Sequence, residues 1–157
     1  MKRQQGISLI EVLVALLVMT LALLGAAALQ LNSLKYTDSA ARRTQASFVA
    51  YDMMDRIRAN TGVLAQYALP NLTSAPSGPN ATDVRLQDLY DFGQNVKNLG
   101  GTDASIVIAN TVQVTINITW DDTRAGGAVT ANNSAATGPS AQVFSVTSRI
   151  TTDAVAP

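Results

Sequence analysis

The sequence predicts an α+β chain in which one very long N-terminal helix packs its second half against a small antiparallel sheet. Three patterns predict it. From Ile7 to Leu29 the only polar side chains are Ser8, Glu11 and Thr20, a helical stretch long enough to cross roughly 30 Å of hydrocarbon. From Ala46 onward Val49, Ala50, Met53, Met54 and Ile57 recur at three- and four-residue spacing, the signature of a helix with one buried stripe. Val112, Val114, Ile116, Ile118 and Trp120 alternate with Gln113, Thr115, Asn117 and Thr119, the signature of a half-buried strand.

The first element is basic and short: Lys2 and Arg3 precede the apolar run, which by the positive-inside rule sets the N-terminus in the cytoplasm and the bulk of the chain outside. Nothing interrupts the helix that follows. No proline occurs before Pro70, and Gly25 is the single glycine between Gly6 and Gly62. A helix from Ser8 to about Ala59 would be roughly 75–80 Å long, more than a head of this size can cover, so its first half must find another partner. Its second half is amphipathic, with Arg42, Arg43, Asp52, Arg56 and Arg58 on the wet side. Asp52 with Arg56, and Asp55 with Arg58, form i,i+4 and i,i+3 pairs of about 0.2–0.5 kcal/mol each. Asn60 and Gly62 provide the stop.

Pro70 to Thr82 is rich in Pro, Ser, Thr and Asn and predicts a turn-rich loop. A second helix fits Asp83 to Leu99, where Leu86, Leu89, Tyr90, Val96 and Leu99 give a partial stripe interrupted by Gly93. Ser105 to Ala109, Val112 to Trp120 and Gln142 to Ile150 predict three strands, the last with Phe144, Val146 and Ile150 on one face. Asp121 to Ser140 predicts a long polar connection, with Asp121-Asp122 as a solvated turn rather than a cation site. The domain plan is therefore 1–6 as a leader, 7–29 as a membrane span, 30–60 as the amphipathic helix half and 61–157 as an α/β head.

Composition excludes more than it selects. The 11 basic residues balance the 11 acidic ones, which argues against nucleic acid as a partner. The chain has neither cysteine nor histidine, so it lacks disulfides, thiol nucleophiles and the commonest general base and transition-metal ligand. We expect no enzyme, no catalytic residue, no metal site and no cofactor.

Glu11 is the only glutamate, and it stands at the mouth of the apolar segment. An ionised acid at a bilayer centre costs about 2.5–3.5 kcal/mol, so a compensating charge is expected. The partial positive charge of a helix start favours an anion there, and the Cα–Cβ tilt carries the carboxylate back over the first turn. Ser8 with Glu11 also fits a capping box, which explains neither Gly6 nor the length of the span.

The run Lys2-Arg3-Gln4-Gln5-Gly6-Ile7-Ser8-Leu9-Ile10-Glu11, followed at once by an apolar helix, resembles the class III signal of type IV pilins and pseudopilins. The resemblance implies a pilin-like fold and cleavage by a prepilin peptidase between Gly6 and Ile7. It further implies N-methylation of Ile7, where most of the family carries Phe, and retention of the apolar segment as an assembly helix. Such a cut removes Lys2 and Arg3 and leaves the mature chain mildly acidic. By the same resemblance Glu11 neutralises the N-terminus of a neighbouring subunit, although a same-chain ammonium about 6 Å along the axis is also within reach. Ala50-Tyr51-Asp52-Met53-Met54-Asp55-Arg56-Ile57-Arg58-Ala59-Asn60, the Gly100-Gly101 turn and Ile118-Thr119-Trp120-Asp121-Asp122-Thr123-Arg124 resemble the PilV-type minor pilins. Tyr51, Met53 and Met54 are expected in the core.

This family implies a structural subunit that partners with major and minor pilins, the prepilin peptidase and the inner-membrane assembly machinery. It implies a single-pass inner-membrane protein with a periplasmic head before assembly and a pilus location afterwards, with loops exposed for adhesion. Two alternatives share some of these features. A type II secretion pseudopilin has the same leader and helix, and a secreted binding domain would be cut after Ala28 in Ala26-Ala27-Ala28.

Overall fold

The computed structural model describes residues 8–122 and 141–151. Its first element, α1, runs unbroken over Leu9–Ala59, as the absence of proline requires. The chain divides after Thr37 into two units. In the first, every described side chain is exposed, from Leu9 at 83% to Leu34 at 63%. Their apolar character finds no partner among the described residues.

The second unit holds the head. Ala46, Ala50, Met53, Met54 and Ile57 are fully buried, so the stripe at three- and four-residue spacing is the packed face of α1. Tyr51, expected in the core, is instead 52% exposed. It lies one residue past Ala50 on the helix, roughly 100° around the axis, and therefore points away from the stripe.

After Asn60 the chain tightens into a 3₁₀ segment over Thr61–Tyr67, which the sequence pattern had not indicated, and the following loop contains a short 3₁₀ turn at Leu72–Ser74. Asn71 caps that turn by accepting from the Ser74 amide. The second helix, α2, spans Val84–Asn98. Asp83 is its N-cap, accepting from the Leu86 amide at 3.2 Å, and this bond, joined by Arg85, lowers the Asp83 pKa. Gly93 does not interrupt α2. It is buried where the helix presses on the loop, and a Cβ there would stand 3.1 Å from the Ala75 Cβ. The gap in the apolar stripe is thus a close approach between helix and loop.

α2 ends at Leu99, and Gly100 turns the chain at φ +83°, a left-handed conformation that favours glycine. Arg42 of α1, assigned to solvent by sequence, is half-buried here and donates to the Leu99 carbonyl at 3.5 Å while pairing with Asp38 at 3.2 Å. Three strands follow: β1 (Gly101–Ala109), β2 (Gln113–Asp121) and β3 (Ala141–Arg149). They form an antiparallel sheet in the order β1-β2-β3. Inward on β2, Val114, Ile116, Ile118 and Trp120 are at most 2% exposed, as the alternation required. On β1, Ala104 and Ile106 complete the same face, and α1, α2, the Leu64–Leu72 region and Ile150 close one continuous core over it. Each such aliphatic side chain contributes about 1.5–3 kcal/mol of burial.

Asp122 differs from its expected place in a solvated turn. It is 6% exposed, and its carboxylate accepts from the Ser39 hydroxyl of α1. A buried carboxylate needs such a donor. The strain of the β1–β2 turn sits at Asn110 and Thr111, both at positive φ.

Candidate functional site

The apolar part of α1 is the first candidate. The Ser8 carbonyl receives the amides of Glu11 at 2.9 Å and Val12 at 3.3 Å, which opens the helix. Among the described residues the reciprocal side-chain bonds of a capping box are not formed, so Ser8 starts the helix through its backbone. Thr20 satisfies itself by donating to the Leu17 carbonyl at 2.8 Å, and Thr37 does so on Ser33 at 2.9 Å. Glu11 has no such recourse. Its carboxylate has no hydrogen bond or ion pair among the described residues, and it borders a shallow depression of about 330 Å³ with Val12, Ala15, Leu16 and Met19. Among the described residues one helix, Leu9–Ala59, is long and apolar enough to cross a membrane.

Gly6 and Ile7, the residues flanking the expected cleavage point, lie outside the described residues, as do Lys2 and Arg3. Most of the 121–140 connection lies outside them as well. Glu11 is therefore the one sequence-derived site residue that lies among the described residues.

The head carries a polar cluster that sequence reasoning missed. Arg56 was expected only to pair with Asp52, which it does at 2.9 Å, and Arg58 likewise pairs with Asp55 at 2.6 Å. Arg56 also reaches α2, meeting Asp88 at 3.0 Å and Asp91 at 3.2 Å through Nη1. Asp88 is 6% exposed and accepts a second bond, 2.7 Å, from the hydroxyl of fully buried Tyr67, which in turn accepts from Asn60 at 3.1 Å. The bond from Arg56 to Asp88 is the main cause raising the Arg56 pKa. Burial, then the Asp88 carboxylate, pushes the Tyr67 phenol up to about 12. The cluster ties the end of α1, the 3₁₀ segment and α2 together. Its one trace in the sequence is an aspartate lodged in the buried stripe of α2, one residue before Leu89 and four before Phe92. No group of three or more metal-ligating side chains gathers among the described residues.

An exposed apolar helix, with one acid near its start that has no partner among the described residues, continues into an α+β head, the arrangement of a pilin-like protein. Comparison with known families agrees. The model described as Prokaryotic N-terminal methylation motif matches residues 1–27, and the model described as Type IV pilin Tt1218 matches residues 28–83. No curated protein matches the chain, and no solved structure does. The two matched stretches adjoin, and they support a type IV pilin carrying the N-terminal methylation motif. That class is one of structural subunits, whose members associate with other pilins and with the prepilin peptidase.

Proposed function

We propose that this protein is a minor type IV pilin of the PilV type, a subunit that enters or primes the pilus fibre. In this reading residues 1–6 are a leader, the prepilin peptidase cuts between Gly6 and Ile7, and Ile7 becomes the methylated first residue. Residues 7–29 then serve first as a single inner-membrane span, with the N-terminus cytoplasmic and the head periplasmic, and later as the assembly stem. Residues 30–60 connect that stem to the head at 61–157. Glu11 neutralises the ammonium of a neighbouring subunit's Ile7. The observation that carries the proposal is the carboxylate of Glu11, without a partner among the described residues on an otherwise apolar exposed helix, inside the stretch matched by the methylation motif.

Mass spectrometry of the mature protein tests the processing: the expected first residue is N-methylated Ile7, whereas a chain starting at Leu29 overturns the proposal. Glu11→Ala tests the charge role. An unpaired ammonium in hydrocarbon costs a few kcal/mol, so recovery of the variant in sheared fibres should fall by about tenfold or more while membrane insertion is retained. Unchanged incorporation would rule the pairing out. Co-purification with pilus rather than secretion-system components separates the minor pilin from a type II secretion pseudopilin.

A further inference from the structure

Past the apolar run, α1 changes character before the head unit begins at Asp38. Leu29, Leu31 and Leu34 are still exposed, but Gln30, Asn32, Ser33, Lys35, Tyr36 and Thr37 now stand among them. The side chains of Gln30, Asn32, Lys35 and Tyr36 make no hydrogen bond or ion pair among the described residues. From Ser8 to Thr37 the only charged residues are Glu11 and Lys35.

Their spacing matches a bilayer. At a rise of 1.5 Å per residue, Gln30 lies about 28 Å from Glu11 along the axis and Lys35 lies about 36 Å from it. The hydrocarbon of a bilayer is about 30 Å thick, and about 40–45 Å with its headgroup layers. With Glu11 at one boundary of the hydrocarbon, Gln30 falls at the other, and Lys35 with Tyr36 falls in the headgroup layer beyond it. An average helix tilt of about 20° shortens the longer span by only about 2 Å.

The chemistry of these side chains suits that layer. A tyrosine ring is apolar along its body and wet at its hydroxyl, which favours it at membrane–water boundaries, and Tyr36 is 66% exposed. The Lys35 ammonium is a compact charge on a flexible stem, able to reach a phosphate. The amides of Gln30 and Asn32 can donate to the ester carbonyls of lipid. Arg42, the next cation along α1, is already engaged with Asp38 and the Leu99 carbonyl, which leaves Lys35 to supply the charge.

We propose that residues 30–37 form a collar for lipid headgroups, in which Tyr36 anchors α1 at the head-side surface of the membrane and Lys35 pairs with the phosphate of an anionic phospholipid. The collar rests on the reading of the stem as a membrane span and adds to it a lipid ligand and the residues that select it.

The chain has no cysteine, so a single introduced thiol can be labelled uniquely. Val18→Cys and Thr37→Cys, each spin-labelled in the full chain in vesicles of phosphatidylcholine and phosphatidylglycerol, report depth through accessibility to oxygen and to a water-soluble nickel chelate. The Val18 label should lie deep, and the Thr37 label in the headgroup layer. Bimane on Ser33→Cys, quenched by brominated phosphatidylglycerol or brominated phosphatidylcholine, reports which lipid surrounds the collar. The anionic lipid should be preferred by about fivefold, the effect of one cation at an anionic surface. Lys35→Ala should bring the preference near unity and Lys35→Arg should retain it. Arg43→Ala, an exposed change in the head unit, should leave it unaltered, with Trp120 fluorescence native throughout. A Val18 label open to the chelate would overturn the membrane-span reading and the collar with it. A deep Val18 label beside a Thr37 label fully in water would overturn the collar alone, as would equal quenching by the two lipids or a preference that survives Lys35→Ala. Lipid quenching that falls as chain density in the vesicles rises would assign residues 30–37 to a second copy and overturn it as well.

Discussion

Replacing Asp88 with Ala tests whether the head is held together by one shared carboxylate. Two bonds vanish at once: from Arg56 at 3.0 Å and from the Tyr67 hydroxyl at 2.7 Å. Tyr67 is fully buried, and Asn60 meets it as a donor through Nδ2, so with that amide orientation the phenol proton loses its acceptor at a cost of about 1–3 kcal/mol. The ion-pair contribution is smaller. Arg56 keeps Asp52 and Asp91 and is 35% exposed, so its loss falls near the 1 kcal/mol of a solvent-screened pair rather than the 3–5 kcal/mol of a fully buried one. Together these give about 2–4 kcal/mol, a large fraction of the 5–15 kcal/mol that stabilises a typical domain. Trp120 is the only tryptophan and is buried in the head, so its fluorescence during urea titration in micelles follows the head and not the stem. Asp88→Asn, which retains a carbonyl acceptor for Tyr67, should lose less. Because Tyr67→Phe removes the same bond, the double variant should be less destabilised than the sum of the singles by about 0.5–3 kcal/mol. Additivity, or a loss below about 0.5 kcal/mol for Asp88→Ala, would refute the shared-carboxylate account.

Two further outcomes follow from the head's geometry. Gly101→Ala places a Cβ 2.5 Å from a Val96 methyl and 2.8 Å from the Val96 carbonyl, so the junction of α2 and β1 must shift. The expected loss is about 1–3 kcal/mol by the same urea titration, and a neutral substitution would mean that the junction is looser than its contacts indicate. Tyr67 predicts an alkaline transition. Its folded pKa, pushed up to about 12 from the ordinary 10, means that above pH 10 the unfolded chain gives up a proton that the folded chain keeps. Stability is therefore fully present below pH 10 and falls between pH 10 and 12, by up to about 2–3 kcal/mol. Tyr67→Phe should flatten that decline, as measured by denaturant midpoints across the pH range.

The sequence by itself determined the elements that depend on one-dimensional pattern. An unbroken α1 followed from the lack of proline, its packed stripe from the three- and four-residue spacing of Ala46 to Ile57, and β2 from strict alternation through Trp120. Glu11 was conspicuous because charge is scarce in an apolar run, and its lack of a partner among the described residues followed from the same scarcity. What only the tertiary structure decided was where polar groups meet across elements. Tyr51 left the core because a helix displaces adjacent residues by roughly 100°. Asp122 was drawn inward because Ser39, 83 positions earlier, supplies a hydroxyl to it. Asp88 became the junction of three elements because a buried carboxylate must collect donors, and those donors, Arg56 and Tyr67, are brought to it by folding alone. Periodicity records which face of an element is apolar, whereas hydrogen-bond satisfaction is a condition on three-dimensional neighbours that no local pattern contains.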